Sequence, residues 1–275
     1  MNMVEDAIRK ARAPQGPGGE CPGRVTLVGS GPGDPELLTL RAVKALRGAR
    51  LVLYDQLVSK EVLRFAGDEA DLIYVGKHAG HHTMPQEDII ELMVRLALSG
   101  RNVVRLKGGD GFIFGRGGEE AQALALAGIP FEVIPGISAA QGAGAYAGIP
   151  LTHRDHAATL VYATGHLRGE HDAELDWDAL ARPRQTVVFY MGMANLPVIC
   201  RELQSHGLPG SMPAALVEQA SLPTQRCICG TLETLQALAA EHQVKPPALI
   251  IVGEVVSLQP VLAGAMHAPT SLTEG

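Results

Sequence analysis

Short apolar runs alternate with amphipathic stretches through the first half of the chain, and they predict alternating strands and helices. The apolar runs that predict strands are 24–28, 51–54, 71–75, 102–106 and 130–134. The stretches between them, which predict helices, are 34–48, 59–65, 86–99 and 119–127. In the first helix, Asp34 is the expected N-cap, Pro35 occupies the first turn and Gly48 ends the helix. Regular alternation of this kind is typical of a parallel sheet with helices on both faces.

The second half has a different order, because several predicted strands follow one another without a helix between them. The predicted strands are 159–163, 187–191, 214–218, 227–230 and 249–252, and the predicted helices are 138–147, 196–205 and 232–242. This order indicates a mixed sheet. We therefore predict two α/β domains, with a parallel N-terminal sheet and a mixed C-terminal sheet. The expected segments are a flexible leader at 1–23, an N-terminal domain at 24–137, a connector at 138–156, a C-terminal domain at 157–264 and a tail at 265–275.

The composition narrows the class of protein. Of the 275 residues, 46% are hydrophobic and 19% are charged, which excludes a globally disordered chain. The net charge is −6, no dense Lys/Arg run is present and only 4% of residues are aromatic, so we expect no nucleic-acid partner. No apolar run approaches the ~18 residues of a membrane helix, so we expect no membrane association. Four cysteines without a C-x-x-C pair fit a reduced, cytoplasmic setting.

A glycine-rich turn, Gly29-x-Gly31-x-Gly33, follows the first strand and suggests dinucleotide binding, with Asp55 placed like a ribose-binding acid. Its spacing differs from G-x-G-x-x-G, and Pro32 removes a backbone donor. Asp34 and Glu36 occupy the helix start and would repel a pyrophosphate there. The turn therefore either binds a ligand without phosphates or binds no ligand.

Three side chains follow predicted strands, where ligands of open α/β sheets bind. Asp110 comes after two glycines, and it either accepts hydrogen bonds from a ligand or is a turn aspartate. Lys77 is either a ligand contact or a solvated loop lysine. Arg116 stands between Gly115 and Gly117, which favours a loop that can turn the guanidinium toward an anionic ligand. The alternative for Arg116 is a surface arginine beside a helix start.

The two methionines around Gly192 and the histidine-rich loop at 78–82 can each be explained either by ligand binding or by an ordinary structural role. Met191 and Met193, on either side of Gly192, are either core residues or a polarizable wall for a flat ligand. The loop at 78–82 contains three histidines, but no H-E-x-x-H or paired C-x-x-C accompanies them. We therefore predict solvated histidines and no metal site.

Seven segments of the chain resemble the uroporphyrinogen-III C-methyltransferases, which are tetrapyrrole methylases that use S-adenosylmethionine. The segments are VTLVGSGPGDPELLTLRAVKAL, VLYDQLVS, VGKHAG, VVRLKGGDGFIFGRGGEE, VIPGISAAQGAGAYAGIPLTHRD, VVFYMGM and ALIIVGEVV. The resemblance extends from Arg24 to Leu262. LKGGDxFIFGRGGEE with GIPLTHRD points to the enzyme that makes precorrin-2. The chain departs from the family pattern at Gly111, where Pro is expected, and at Ala220-Ser221, where Gly-Thr is common.

The resemblance implies that S-adenosylmethionine binds in a cleft between two α/β domains, which also holds the active site. It implies cofactor contacts at Pro32, Gly108, Gly109, Asp110, Ile113, Ser138, Ala139, Met191 and Ala220. It assigns proton transfer to Asp55 and Lys77 and implies a homodimer. The reaction adds methyl groups to carbons 2 and 7 of uroporphyrinogen III, and the product serves sirohaem, cobalamin or haem d1 synthesis.

A substrate rich in carboxylates needs forked arginine donors on this acidic chain. The candidates are Arg116 with Glu119, and Arg154, with Met191 beside the macrocycle; Arg41, Arg47 and Arg50 are weaker candidates. Either Asp55 or Arg116 takes the proton that the methylated substrate loses, although Arg116 would first have to lose its own. The alternatives are a later precorrin methyltransferase, a diphthine synthase, or a nucleotide-binding oxidoreductase or non-catalytic binding domain.

Overall fold

The computed structural model describes residues 21–76, 84–166 and 175–266. The contacts within the chain divide it into two units, one ending at Ala139 and the other beginning at Ala140. Lys77 and the three histidines of the following loop lie outside the described residues. So do residues 1–20 of the expected leader and residues 267–275 of the expected tail.

The first unit contains a five-stranded parallel sheet with the order β3-β2-β4-β1-β5. Its strands are β1 Val25–Gly29, β2 Leu51–Tyr54, β3 Asp71–Tyr74, β4 Val103–Lys107 and β5 Phe131–Ile134. In the register, Val25 lies opposite Val103 on one side and Phe131 on the other. The predicted parallel sheet is confirmed, because all its strand pairs run in the same direction.

Helices cover both faces of this sheet. They are α1 Leu40–Arg47, α2 Lys60–Leu63, α3 Gln86–Leu98 and α4 Gly117–Leu126. One core joins Leu27 and Leu53 of the sheet to Leu92 of α3 and Leu124 of α4. The other core joins Val28, Val52 and Leu106 to Leu46 of α1 and Val62 of α2. Alternate strand residues therefore point to opposite helical layers, as expected for a sheet buried on both faces.

The first predicted helix is wrong at its start. Asp34 does cap a turn, because its Oδ1 accepts a hydrogen bond from Glu36 N, but this turn is a three-residue 3-10 helix, Pro35–Leu37. Leu38 then returns to an extended conformation. The α-helix begins only at Leu40, after Thr39 Oγ1 accepts a hydrogen bond from Ala42 N at 3.1 Å. Two capping side chains in one stretch thus divide the predicted helix into two pieces.

The second unit contains a mixed sheet with the order β6-β7-β10-β8-β9. Its strands are β6 Thr159–Thr164, β7 Gln185–Tyr190, β8 Pro213–Glu218, β9 Arg226–Thr231 and β10 Ala248–Val252. β6 and β7 are parallel, whereas β10 is antiparallel to both β7 and β8, and β9 is antiparallel to β8. The predicted mixed sheet is confirmed.

The helices of the second half are α5 Ala139–Ala147, α6 Trp177–Leu180, α7 Leu196–Ser205, α8 Leu235–Glu241 and α9 Gln259–Ala265. A core of Phe189, Leu216 and Ile250 packs on Ile199 of α7 and Leu235 of α8. The pattern did not predict α6 and α9, which have only four and seven residues. In the part of the chain that the structure describes, no helix has the length and apolar character needed to cross a membrane.

Candidate active site

The ends of neighbouring parallel strands bring the glycine turn after β1 and the Gly108-Gly109-Asp110 segment after β4 to one edge of the first sheet. Gly31 N donates to Gly109 O at 3.1 Å, and Gly109 N donates to Gly31 O at 2.7 Å. Ser30 N donates to Lys107 O at 2.8 Å. Two backbone donors of the turn, Ser30 N and Gly31 N, are therefore used within the protein, and Pro32 has no N–H to offer a phosphate. This geometry favours a ligand without phosphates.

Three glycines allow the backbone segments at this edge of the sheet to pack directly against each other. A Cβ placed on Gly29 would lie 2.5 Å from Gly136 N, and a Cβ on Gly136 would lie 2.3 Å from Gly109 O. Gly109 itself has a φ of 64°, which L-amino acids with side chains rarely adopt. The backbones that follow β4, β1 and β5 thus approach each other more closely than any side chain would permit.

Asp110 joins two of these loops. Its Oδ2 accepts a hydrogen bond from Gly136 N at 2.9 Å, and its Oδ1 accepts one from Phe112 N at 2.8 Å. The side chain is therefore a turn aspartate, as one of its two interpretations predicted. An ionised carboxylate accepts about four hydrogen bonds, so Asp110 keeps capacity for a ligand, and its role in cofactor binding stays a prediction.

The other expected cofactor contacts of the first unit belong to the same set of loops. Pro32 is in the turn after β1, Gly108 and Ile113 follow β4, and Ser138 and Ala139 follow β5. Gly108 packs against the loop after β2, because a Cβ there would lie 2.6 Å from Leu57 Cβ. Ser138 is buried. The carboxyl edge of the sheet therefore gathers every expected cofactor residue of this unit.

The expected site residues of the second unit lie at one edge of its own sheet. Met191 directly follows β7, and Ala220 follows β8; the two strands run in the same direction, because both are antiparallel to β10. Met191 has a φ of 56° and is 53% exposed. Gln219 and Ser221, on either side of Ala220, have φ values of 50° and 62°. Met191 is therefore an exposed side chain at a strand end and not a core residue.

Residues in the left-handed backbone conformation are concentrated in the segments that contain the expected site residues. Seven described residues other than glycine have a positive φ, and five of them lie in or beside the segments that the resemblance singled out. The five are Phe114, Arg116, Met191, Gln219 and Ser221. Such conformations cost about 1–3 kcal/mol each and concentrate at functional sites. Sequence reasoning missed this strain, because none of the five is a residue type that favours a positive φ.

Arg116 is held by Glu119 in a forked ion pair at the start of α4. Arg116 Nε donates to Glu119 Oε1 at 2.9 Å, and Nη2 donates to Oε2 at 2.6 Å; each side chain is 51% exposed. These hydrogen bonds, which Arg116 donates and Glu119 accepts, raise the pKa of Arg116 and lower the pKa of Glu119. Arg116 therefore stays charged, which suits anion binding and disfavours a role as a base.

The loop around Arg116 is tightly packed, which contradicts the expectation that its flanking glycines let it turn. Gly117 N donates to Gly111 O at 2.9 Å. A Cβ on Gly117 or Gly115 would lie 2.4 or 2.8 Å from that same oxygen. Gly111 in turn packs on Lys107, with Cδ 3.2 Å from the position of its missing Cβ. The glycines provide close packing here and not mobility.

The remaining arginine candidates are dispersed. Arg154 is exposed in the turn between His153 and Ala157 of the second unit. Arg41 pairs with Glu132 at 2.6 Å, and Arg50 pairs with Glu69. Arg50 directly precedes β2, and Arg47 ends α1, so both lie at the amino edge of the first sheet, away from the candidate site. As substrate contacts, Arg47 and Arg50 are therefore wrong.

Asp55 directly follows β2 at the same edge as the glycine loops. Its Oδ2 accepts a hydrogen bond from Arg105 Nη2 at 3.3 Å, and its Oδ1 accepts one from Leu57 N at 3.3 Å. The side chain is 27% exposed. Burial and then the charge of Asp55 raise the pKa of Tyr74, at the end of the neighbouring strand β3. Asp55 is thus a carboxylate of fixed orientation that solvent still reaches.

Behind Asp55 lies a buried charge network that sequence reasoning missed. Glu120 of α4 is fully buried, and its Oε1 accepts hydrogen bonds from Arg105 Nε at 3.2 Å, Lys107 Nζ at 2.9 Å and Gln86 Nε2 at 3.0 Å. Arg105 and Lys107 are also buried. Burial is the main cause that lowers the pKa of Lys107, followed by the charge of Arg105.

One signal of this network is present in the sequence. β4 reads VVRLK, and a central strand buried on both faces has no solvent for a cation. Two cations there require a buried carboxylate partner. The pattern predicted a strand at 102–106 but gave no reason to look for that partner in α4. Among the described residues, no group of three His, Cys, Asp or Glu side chains is placed to hold a metal ion.

Comparison with known proteins agrees with this architecture. Residues 24–236 match the family model of the tetrapyrrole (corrin/porphyrin) methylases. A siroheme synthase of Nitrosospira multiformis is 56% identical over 241 residues, which are 88% of this chain and 51% of that protein. The chain thus spans about half the length of the curated relatives that it matches.

Two crystal structures of the uroporphyrin-III C-methyltransferase from Thermus thermophilus are similar to this chain. Both are 43% identical, have a TM-score of 0.73, and cover 86% of this chain and 100% of theirs. One is the native form and the other is a complex with S-adenosylhomocysteine.

Proposed function

Because the chain belongs to the tetrapyrrole (corrin/porphyrin) methylases, we propose that it is an S-adenosylmethionine-dependent methyltransferase that converts uroporphyrinogen III to precorrin-2. Methyl groups are added to carbons 2 and 7, with precorrin-1 as the intermediate. The observation that carries the proposal is the carboxyl edge of the first sheet, where a clamped, partly exposed Asp55 adjoins the glycine turn after β1. In that turn, Ser30 N and Gly31 N bond within the protein, and Pro32 has no N–H. The likeness to a uroporphyrin-III C-methyltransferase, which covers 86% of this chain, supports the choice of substrate.

The chemistry of this edge fits the methyl donor. When bound, S-adenosylmethionine supplies a methyl group on a positively charged sulfur, and it carries no phosphate. At this edge Asp110 offers carboxylate lone pairs for polar groups, and in the second unit Met191 offers a polarizable thioether. The residues proposed to hold it are Pro32, Gly108, Gly109, Asp110, Ile113, Ser138, Ala139, Met191 and Ala220. Ala220 contributes backbone, because the strained residues on both sides of it fix its carbonyl and N–H.

The loops at the carboxyl edge of the first sheet also carry charged and apolar side chains that could contact the substrate. Arg116 keeps its positive charge and is half exposed, so it can bind a carboxylate while Glu119 orients it. Phe112 and Leu57 are also largely exposed at the strand ends, and they offer apolar surface to a flat macrocycle. We propose Arg154 and Met191 as substrate contacts of the second unit.

Proton removal is the step that needs a base. Each methyl transfer breaks a sulfur–carbon bond and forms a carbon–carbon bond at a pyrrole carbon, after which the macrocycle loses one proton from a bridge carbon. We assign that proton to Asp55, because Arg116 is already protonated and paired. Lys77, outside the described residues, stays a predicted partner in proton transfer. Proximity and alignment supply the rest of the rate enhancement, up to ~7–11 kcal/mol in favourable cases.

The decisive experiment is anaerobic incubation of the protein with uroporphyrinogen III and S-adenosylmethionine carrying a 13C-labelled methyl group. We expect mass spectrometry to find two labelled methyl groups in the product, and NMR to place them on carbons 2 and 7. Asp55→Asn should lose most of the transfer, whereas Asp178→Asn, at an exposed position of α6, should keep it. Absence of mass gain with the unaltered protein would reject the proposal.

The methylation assay and calorimetry separate the alternatives. A later precorrin methyltransferase would leave uroporphyrinogen III unmodified in the methylation assay. A nucleotide-binding oxidoreductase would bind NAD in calorimetry but not S-adenosylhomocysteine. The homodimer and the cytoplasmic location stay predictions. So does the choice among sirohaem, cobalamin and haem d1 as the end product.

A further inference from the structure

Arg105 has a partner at every nitrogen of its guanidinium. Nε donates to Glu120 Oε1, Nη2 donates to Asp55 Oδ2, and Nη1 donates to Leu106 O at 3.2 Å and Leu53 O at 3.5 Å. The residue is 2% exposed. A planar, rigid guanidinium bonded on all sides has one orientation only.

Stability alone does not account for this network. Burying ion pairs is often no more stabilising than packing apolar residues of similar volume, because desolvation offsets the attraction. Here two cations, Arg105 and Lys107, face two carboxylates, Glu120 and Asp55. Three of these four groups are buried, and only Asp55 reaches solvent. The network thus joins a rigid interior anchor to Asp55, its one member that solvent and a ligand can reach.

We propose that Arg105 is a positioning residue for Asp55, and that Glu120, with Lys107 and Gln86, holds Arg105 in place. This inference rests on the proposed function, in which Asp55 takes a proton from the methylated macrocycle. Arg105 fixes one carboxylate oxygen and Leu57 N fixes the other. The plane of the carboxylate, and with it the direction of its remaining lone pairs, is therefore set before substrate binds. Lysine at this position cannot bond Glu120 and Asp55 at once in the same geometry.

The test is a double-mutant cycle with Arg105→Lys and Asp55→Asn in the full chain. We expect Arg105→Lys to lower kcat by about 10–100-fold, since a small misplacement of a reacting group has that effect. KM and the affinity for S-adenosylhomocysteine should stay as in the parent. In the Asp55→Asn background, Arg105→Lys should lower kcat no further. Arg95→Lys, on the exposed face of α3, is the matched control and should leave kcat unchanged.

Equal loss of kcat in both backgrounds would overturn the proposal, because Arg105 would then act independently of Asp55. If Arg105→Lys does not fold, Glu120→Gln replaces it in the cycle, with the same expected non-additivity. If the parent itself methylates no uroporphyrinogen III, the proposed function has failed and urea unfolding decides the inference. The unfolding midpoints should then shift non-additively for Arg105→Lys and Asp55→Asn, and additive shifts would reject the clamp.

Discussion

Single residues in left-handed backbone set the directions of the candidate site side chains. Arg116 and Met191 both adopt a positive φ directly before or after a regular element, and both side chains are about half exposed. A bulky residue adopts this conformation only where the surrounding structure enforces it. The sequence shows that these residues are present, but it gives no sign of their backbone angles.

Asp110 should matter for stability as well as for binding. Asp110→Ala removes the acceptor of two backbone N–H groups, and hydrogen bonds to a charged group are worth ~1.5–3 kcal/mol each. We expect a lower free energy of unfolding in urea and weaker S-adenosylhomocysteine binding in calorimetry. Asp178→Ala, which is exposed, should change neither. Unaltered stability of Asp110→Ala would contradict the joining role of its carboxylate.

Arg116→Lys tests the substrate fork. The lysine keeps the charge but not the two-pronged geometry, so we expect S-adenosylhomocysteine affinity to persist while most methyl transfer to uroporphyrinogen III is lost. Arg201→Lys is the control, because Arg201 of α7 is an exposed arginine that likewise donates from Nε and one Nη to a neighbouring glutamate, Glu202. Turnover like that of the parent at saturating substrate would show that Arg116 is only a surface residue.

At the scale of elements, α4 begins with two glycines that have opposite surroundings. Gly117 N donates to Gly111 O, and the missing Cβ of Gly117 would clash with that oxygen. Gly118 has no atom within 4 Å of its own missing Cβ. The two adjacent glycines therefore have different roles: Gly117 is required for close packing, whereas Gly118 only lowers the helix propensity of the segment.

Substituting these two glycines by alanine should have opposite effects on stability. Gly118→Ala should raise the free energy of unfolding by about 0.4–1 kcal/mol, because the site has room for a Cβ and alanine reduces the freedom of the unfolded chain. Gly117→Ala should lower it, because its Cβ would lie 2.4 Å from a backbone oxygen that cannot rotate away. Thermal unfolding of the two variants measures both effects. Equal shifts would contradict the packing of α4 on Gly111.

The strand β9 carries two thiols of different reactivity. Cys227 and Cys229 point to the same face, with their Sγ atoms 3.7 Å apart, and either thiol could donate in this contact. The contact lowers the pKa of Cys229, so we expect Cys227 to be the donor. The same contact raises the pKa of Cys227. Cys229 is also the exposed member of the pair.

Iodoacetamide should therefore alkylate Cys229 first, and its reaction should continue to lower pH than that of Cys227, because the thiolate is the nucleophile. Cys227→Ala removes the donor, so the pKa of Cys229 should rise and its alkylation at neutral pH should slow. Peptide mass mapping over a pH series measures this. Faster labelling of Cys227 in the parent would contradict the assignment of the donor.

For the whole molecule, the order of strands and helices predicted both sheets, because short apolar runs of four or five residues indicate buried strands. The strand order β3-β2-β4-β1-β5 depends on long-range pairing, which no local pattern specifies. The carboxyl-end rule likewise brought Asp55, Gly108 and Asp110 to one edge. It did not find Glu120, because a carboxylate in an amphipathic helix resembles a surface residue until its partners in β4 are known.

The described contacts of the first unit begin near Gly23, whose N donates to Ala97 O at 2.8 Å. The Pro/Gly-rich composition of residues 13–23 predicts that the preceding residues are dispensable. A chain starting at Gly23 should keep the parent's melting temperature and turnover. A chain starting at Val25 also loses the hydrogen bond from Arg24 N to Asn102 Oδ1, and it should melt lower. If the chain starting at Gly23 melted at a lower temperature than the parent, residues 1–22 would not be dispensable.

The close approach of Gly29, Gly109 and Gly136 has a consequence for the genetics of this fold. At two of these positions a new methyl group meets backbone atoms of another of the three, at 2.3–2.5 Å. A second mutation can shorten an obstructing side chain, but it cannot remove a backbone atom. We therefore expect that no substitution at the other two glycines rescues Gly29→Ala or Gly136→Ala in a suppressor screen. Among these three positions, the screen should recover only reversion of the mutated residue to glycine.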